Sequence, residues 1–114
     1  MDIECSNKKL QKIYEEGRSS RKYRLPESII DRFIMRVDAL IAAESIHDLR
    51  NHPAINFEKL KGIKNGYSVM IHKDYRLEMI INWVKEGKTV DKIIVLDITN
   101  HSKKLVKVGQ QQRS

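Results

Sequence analysis

The sequence predicts an α+β fold, with two amino-terminal helices packed on one face of a mainly antiparallel sheet of three to four strands. Three observations carry this expectation. Apolar residues recur every three or four positions from Ile29 to Ile41, apolar and polar residues alternate from Tyr67 onward, and the helical pattern wholly precedes the alternating one. Runs of helix followed by runs of strand segregate into separate layers around one core. A chain of 114 residues can build one modest core but hardly two. Residues 1–102 therefore read as a single domain and 103–114 as a basic, flexible tail.

The first helix is expected to open at Ser6 or Asn7, whose side chains can accept from unpaired backbone N–H groups. Leu10, Ile13 and Tyr14 then share one face, and Gly17 ends the helix. Arg18 to Arg24 is a polar connector. Pro26, with its φ preset for a first helical turn, opens the second helix, along which Ile29, Ile30, Phe33, Ile34, Val37, Leu40 and Ile41 form a continuous apolar stripe. Ser45 with Asp48 three residues later resembles a capping box for a brief further turn, which His52-Pro53 stops.

Past Pro53 the period changes to two. Tyr67, Val69 and Ile71 face one side of a strand, with Ser68, Met70 and His72 on the other. A second strand sets Tyr75, Leu77, Met79, Ile81 and Trp83 against Arg76, Glu78, Ile80 and Asn82, and Asp74 marks the tight connection between the two. Glu86-Gly87-Lys88 supplies another turn. Ile93 to Ile98 reads as a strand apolar on both faces, the mark of one that is central or covered by a helix.

The formal net charge is +7, and it is uneven. Seven cations against two acids between Lys8 and Arg24 leave that stretch at +5, and the segment after His101 adds Lys103, Lys104, Lys107 and Arg113 without an acid. Clustered cations attract polyanions, so RNA, DNA and acidic proteins are the first partners to consider, against a merely solubilising surface. One cysteine, Cys5, excludes an internal disulfide and a cysteine-based zinc cluster. No segment approaches the roughly 20 apolar residues of a membrane span. These features suggest a soluble, cytoplasmic protein.

No metal or cofactor is expected. His47 and His52 are five apart across an expected helix end, so they do not share a helical face, and Cys5 has no base beside it. What remains is a basic set within eighteen positions: Lys59, Lys61, Lys64, His72, Lys73 and Arg76. Arg76 alternates away from the apolar face of its strand, and His101 follows directly on the last strand. Short antiparallel hairpins would bring the end of that strand across from Arg76 and near Lys61. RNA can be cut without a metal when its 2′-hydroxyl attacks the adjacent phosphate, which needs proton transfer and positive charge on the phosphorane. Histidine, titrating near roughly pH 6.5, and permanently charged arginine and lysine are the residue types suited to those tasks. Taken singly, each residue is better explained without chemistry: Lys61 as loop decoration, Arg76 as the partner of Glu78 or Asp97, and His101 as a solvent-exposed strand end.

Three segments, in order and spacing, resemble the HigB-like killer proteins of bacterial toxin–antitoxin systems, within the RelE/ParE superfamily. They are Asn7-Lys8-Lys9-Leu10-Gln11-Lys12-Ile13; then Leu60-Lys61-Gly62 with Gly66-Tyr67-Ser68-Val69 and Tyr75-Arg76-Leu77; then Ile93 to Ile98 closing on His101. The resemblance implies a RelE-like fold, cleavage of messenger RNA at the ribosome and inhibition by a helix-turn-helix antitoxin of the HigA type. It implies Lys61, Arg76 and His101 as catalytic residues, and the rest of the basic set, Lys59, Lys64, His72 and Lys73, is then expected on the RNA, with His72 standing where some relatives have a second arginine. Where many relatives carry His-Pro before Leu-Lys-Gly this chain has Glu58-Lys59, making Glu58 a candidate additional acid or base. Where many end in Asp-Tyr-His it has Thr99-Asn100-His101. A non-enzymatic topoisomerase inhibitor of the ParE type, or a basic nucleic-acid-binding module, is the alternative on the same fold.

Overall fold

The computed structural model describes residues 1–18 and 24–100. In chain order the elements are β1 (Ile3–Cys5), α1 (Lys8–Glu16), α2 (Glu27–Ala42), α3 (Ile46–Asn51), β2 (Glu58–Lys59), β3 (Gly66–His72), β4 (Tyr75–Lys85) and β5 (Thr89–Asn100). Asn7 caps α1 through its side chain, accepting from the Lys9 and Leu10 N–H groups, and Gly17 closes it in the left-handed conformation at φ 73°, where a Cβ would be strained. Pro26 precedes the first turn of α2, and Ser45 caps α3 by accepting from the Asp48 N–H. The side chain of Asp48 reaches back to the Glu44 N–H at 3.0 Å, one residue earlier than in a strict capping box.

The five strands lie in the order β1-β5-β4-β3-β2, with β1 parallel to β5 and every other pair antiparallel. The sheet is thus wider than the three to four strands expected, by a short strand at each edge. Both additions are too brief to show a period: β1 has three residues and β2 two. The three long strands occupy the expected stretches.

One core lies under the helices. The stripe of α2 buries Ile29, Ile30, Phe33, Val37 and Leu40, while Ile41 stays 44% exposed at its margin. Each of those five buried side chains contributes about 1.5–3 kcal/mol. They meet Leu10 and Ile13 of α1, Ile46 and Leu49 of α3, and the inward residues Val69, Ile71, Leu77, Met79, Ile81, Ile93 and Val95. The alternation expected for β4 holds, since Leu77, Met79 and Ile81 are fully buried between less buried neighbours. At the far end of this face Tyr67 stacks on Phe57, with ring centroids 5.0 Å apart, and meets the edge of Trp83 at 6.0 Å. Arg36 of α2 donates to the Met70 carbonyl at 2.7 Å, tying the helix to β3. Burial, and then the neighbouring Arg32, lower the proton affinity of this guanidinium.

Candidate active site

Arg76 lies on the sheet face opposite the core, in register with Met70 of β3 and Thr99 of β5. Alternation puts Ser68 on that same face, one step along β3. The sequence suggested that Arg76 looks outward across the sheet; instead only 8% of it is exposed. The reason is the chain that arrives from α3. Asn56, in a left-handed conformation at φ 47°, turns its carbonyl toward the guanidinium. Arg76 Nη2 donates to that carbonyl at 2.7 Å and to the Ser68 carbonyl at 3.2 Å, while Nε donates to Ser68 Oγ at 2.9 Å. The carboxylate of Glu58 stands 3.5 Å from Nη2. None of these contacts uses Nη1.

Arg76 is therefore a structural clamp as well as a candidate catalytic cation. It joins β4, β3 and the approach to β2, and removing it would leave the Asn56 and Ser68 groups without their donors. Asn56 and Ser68 were not singled out from the sequence. A signal existed for Ser68, a hydroxyl on the face of Arg76 in the mostly apolar middle of β3, whereas nothing local marks a carbonyl that works only through its backbone turn.

The remaining basic residues divide between the two ends of the sheet. At the end nearer Arg76, His72 is half-buried and pairs with Tyr75 across a bulge between Met70 and His72, and Lys73 sits in the turn that joins β3 to β4. Tyr75 is in register with Asn100, so β5 delivers its last described residues to this same end. His101, the expected proton carrier, lies outside the described residues, as do the tail 103–114 and residues 19–23 of the basic connector.

Lys61 and Lys64 lie at the other end, in the connection from β2 to β3, with Lys59 in β2 leading into it. The Leu60 N–H donates to the Gly66 carbonyl at 2.9 Å, which sets Leu60 level with Gly66, four positions along β3 from the level of Arg76. At roughly 3.3 Å per residue this is about 13 Å along the strand. The expected convergence of Lys61 with Arg76 and the end of β5 at one strand level thus does not hold: β5 reaches Arg76 but Lys61 stands apart. A change of register by an even number of residues moves residues along a sheet and leaves their faces unchanged, which is why the sequence pattern did not reveal it. Lys59, Lys61 and Lys64 instead line a depression of about 640 Å³, with Asn65 and Glu86 on its walls. Its loop is closely fixed, with the Gly66 N–H on the Ile63 carbonyl and the Ile81 N–H on the Asn65 carbonyl, each at 3.0 Å.

Chemically, the sheet offers one anchored guanidinium near one end and a separate group of lysines at the other. Among the described residues no group of three or more histidine, cysteine, aspartate or glutamate side chains is placed to hold a metal, and no helix is long and apolar enough to cross a membrane.

Known proteins define the class to which this arrangement belongs. A family model for HigB-like toxins, described as the RelE-like toxin of type II toxin–antitoxin system HigB, matches residues 3–101. The chain belongs to this family. It is 35% identical over 85 residues to Toxin HigB-1 of Vibrio cholerae serotype O1 (strain ATCC 39315 / El Tor Inaba N16961), covering 74% of this chain and 85% of that protein. A solved structure, the YoeB/ParE toxin from Agrobacterium tumefaciens, aligns with a TM-score of 0.48 and 15% identity over 89% of this chain and 99% of that one.

Proposed function

We propose that this toxin is a ribosome-dependent endoribonuclease that cuts messenger RNA without a metal, and that an antitoxin of the HigA type neutralises it. The 2′-oxygen attacks the adjacent phosphorus, the bond from phosphorus to the 5′-oxygen breaks, and the products are a 2′,3′-cyclic phosphate and a 5′-hydroxyl. His101 accepts the proton of the attacking hydroxyl, and the leaving 5′-oxygen takes one from solvent. Arg76 bears on the phosphate oxygens, where a preorganised cation stabilises the phosphorane most. Lys61 supplies charge at longer range from the loop at the other end of β3, and Lys59, Lys64, His72 and Lys73 hold flanking RNA. The reaction belongs to residues 1–102, with 103–114 as a basic tail, and its setting is the cytoplasm. The basic face of α1 and its connector are the contacts offered to an acidic antitoxin surface.

One observation carries this reading: a guanidinium anchored through Nε and Nη2, with Nη1 outside those bonds, opposite Thr99 and so two residues before His101. The test is end chemistry. Purified protein is incubated with translating ribosomes and a defined messenger, and the new termini are sequenced. Cyclic phosphate or its 3′-phosphate hydrolysis product, with 5′-hydroxyl ends, is expected. Termini bearing 5′-phosphate and 3′-hydroxyl would replace this mechanism with a water- or metal-activated one, and intact messenger would favour non-enzymatic inhibition.

A further inference from the structure

We infer that Glu58 is an internal stand-in for the RNA phosphate, occupying the guanidinium of Arg76 in the free protein and leaving it when a phosphodiester arrives. The inference rests on the assignment of Arg76 to phosphate made above, and it gives Glu58 a part distinct from acid–base chemistry.

The geometry supplies three reasons. The two partners are unequal, since the Arg76 side chain is 9% exposed whereas that of Glu58 is 57% exposed. The arginine is fixed by its bonds to Ser68 and Asn56, and the carboxylate is the partner free to move. The pair is also loose, a single contact of 3.5 Å to Nη2, beyond the usual length of a charge-assisted hydrogen bond, and with its carboxylate largely in water it is screened and contributes little. Finally, Glu58 sits on β2, an edge strand in register with Ser68 and Tyr67 of β3, whose backbone is held by β3 while the Glu58 side chain stays mostly in water. An exposed side chain on such an edge can turn further into water without moving the backbone or the core.

Charge favours the exchange. A phosphodiester placed beside an Arg76 that still holds Glu58 would meet a carboxylate of its own sign across the same guanidinium. Releasing Glu58 into water, where more than half of it already lies, removes that repulsion and gives up only one long contact. The phosphate then meets a cation whose position was set beforehand, as a transition-state-stabilising donor requires. Glu58 thereby disfavours weak, non-specific anions at the site and yields to RNA held by other contacts.

The experiment uses the whole chain and a probe that cannot be cut, a trinucleotide of 2′-O-methyl RNA, titrated while the Arg76 Nε–Hε resonance is followed by NMR. For the wild type, that resonance shifts on weak binding. Glu58→Gln keeps the size of the side chain and removes its charge, and is expected to bind about fivefold more tightly, the upper range for one exposed ion pair, with the same resonance moving. Equal or weaker binding by Glu58→Gln, or an Arg76 resonance that stays still in both proteins, overturns the proposal. So does a Glu58→Gln variant that binds like wild type but loses cleavage, because that outcome makes Glu58 a proton carrier. Tighter binding with no RNA cleavage by either protein upholds the exchange and removes only the nuclease assignment.

Discussion

Arg76 grips Ser68 twice, through Nε on the hydroxyl at 2.9 Å and through Nη2 on the carbonyl at 3.2 Å, so two adjacent strands are stitched on the face away from the core. Ser68 is itself 2% exposed. Replacing it with alanine deprives a buried guanidinium N–H of its acceptor, and Ser68→Ala is expected to destabilise the fold by about 1–3 kcal/mol, measured as a lower urea midpoint with an unchanged slope. Arg76→Ala should cost at least as much, since the Asn56 and Ser68 carbonyls both lose a donor. Arg76→Lys cannot reproduce the planar fork and should recover only part of the loss. Lost activity in Arg76→Ala therefore has to be compared with that of Ser68→Ala, a variant weakened in stability but keeping the cation.

Gly66 opens β3 against the loop that carries Lys61 and Lys64. A Cβ added there would stand 2.8 Å from the Cβ and 2.9 Å from the Cγ2 of Ile63, closer than such atoms approach. Gly66→Ala should destabilise by about 1–3 kcal/mol, as overpacking does. If the loop yields by moving its lysines, RNA binding should weaken with it. Unfolding in urea and binding of the 2′-O-methyl probe together read both effects; an unchanged midpoint would show that the loop is freer than its hydrogen bonds suggest.

Stability should fall at alkaline pH. Burial, and then Glu15, push the Cys5 thiol above its ordinary 9.0. The hydrogen bond to Asp38, more than burial, pushes the Tyr14 hydroxyl above 10.0. In both cases the folded protein holds its proton more tightly than the unfolded chain. The stabilisation is therefore complete below the ordinary value and is lost as pH rises through the raised one. The urea midpoint should be level from pH 7 to about 8.5 and decline above 9. Cys5→Ser should flatten the first part of the decline and Tyr14→Phe the later part. A midpoint that climbs through this range would contradict the assigned environments.

How much of this was legible in the sequence varied with the range of the interaction. The helices and the three long strands were, because their periods are local: the α2 stripe and the alternation of Leu77, Met79 and Ile81 follow from facing one core. The strand β1 was not. It spans three residues and pairs Ile3 with Ile93, ninety positions away, so no local pattern announces it. Arg76 was legible as a residue but not as a buried one, since its cover comes from the Asn56 carbonyl, twenty positions earlier. The pairing of Glu58 with Arg76 and the separation of Lys61 from both depend on register, which alternation leaves open by any even number of residues.

The central claim, that this toxin cuts translated messenger RNA with His101 and Arg76, is tested most directly by primer extension on cellular messenger shortly after induction. Wild type, His101→Ala and Ser68→Ala would be compared at equal folded protein level. Codon-spaced cuts within translated regions from wild type and Ser68→Ala, and none from His101→Ala, are the predicted result. Growth arrest with intact messenger in every case, or cuts that persist undiminished in His101→Ala, would contradict it.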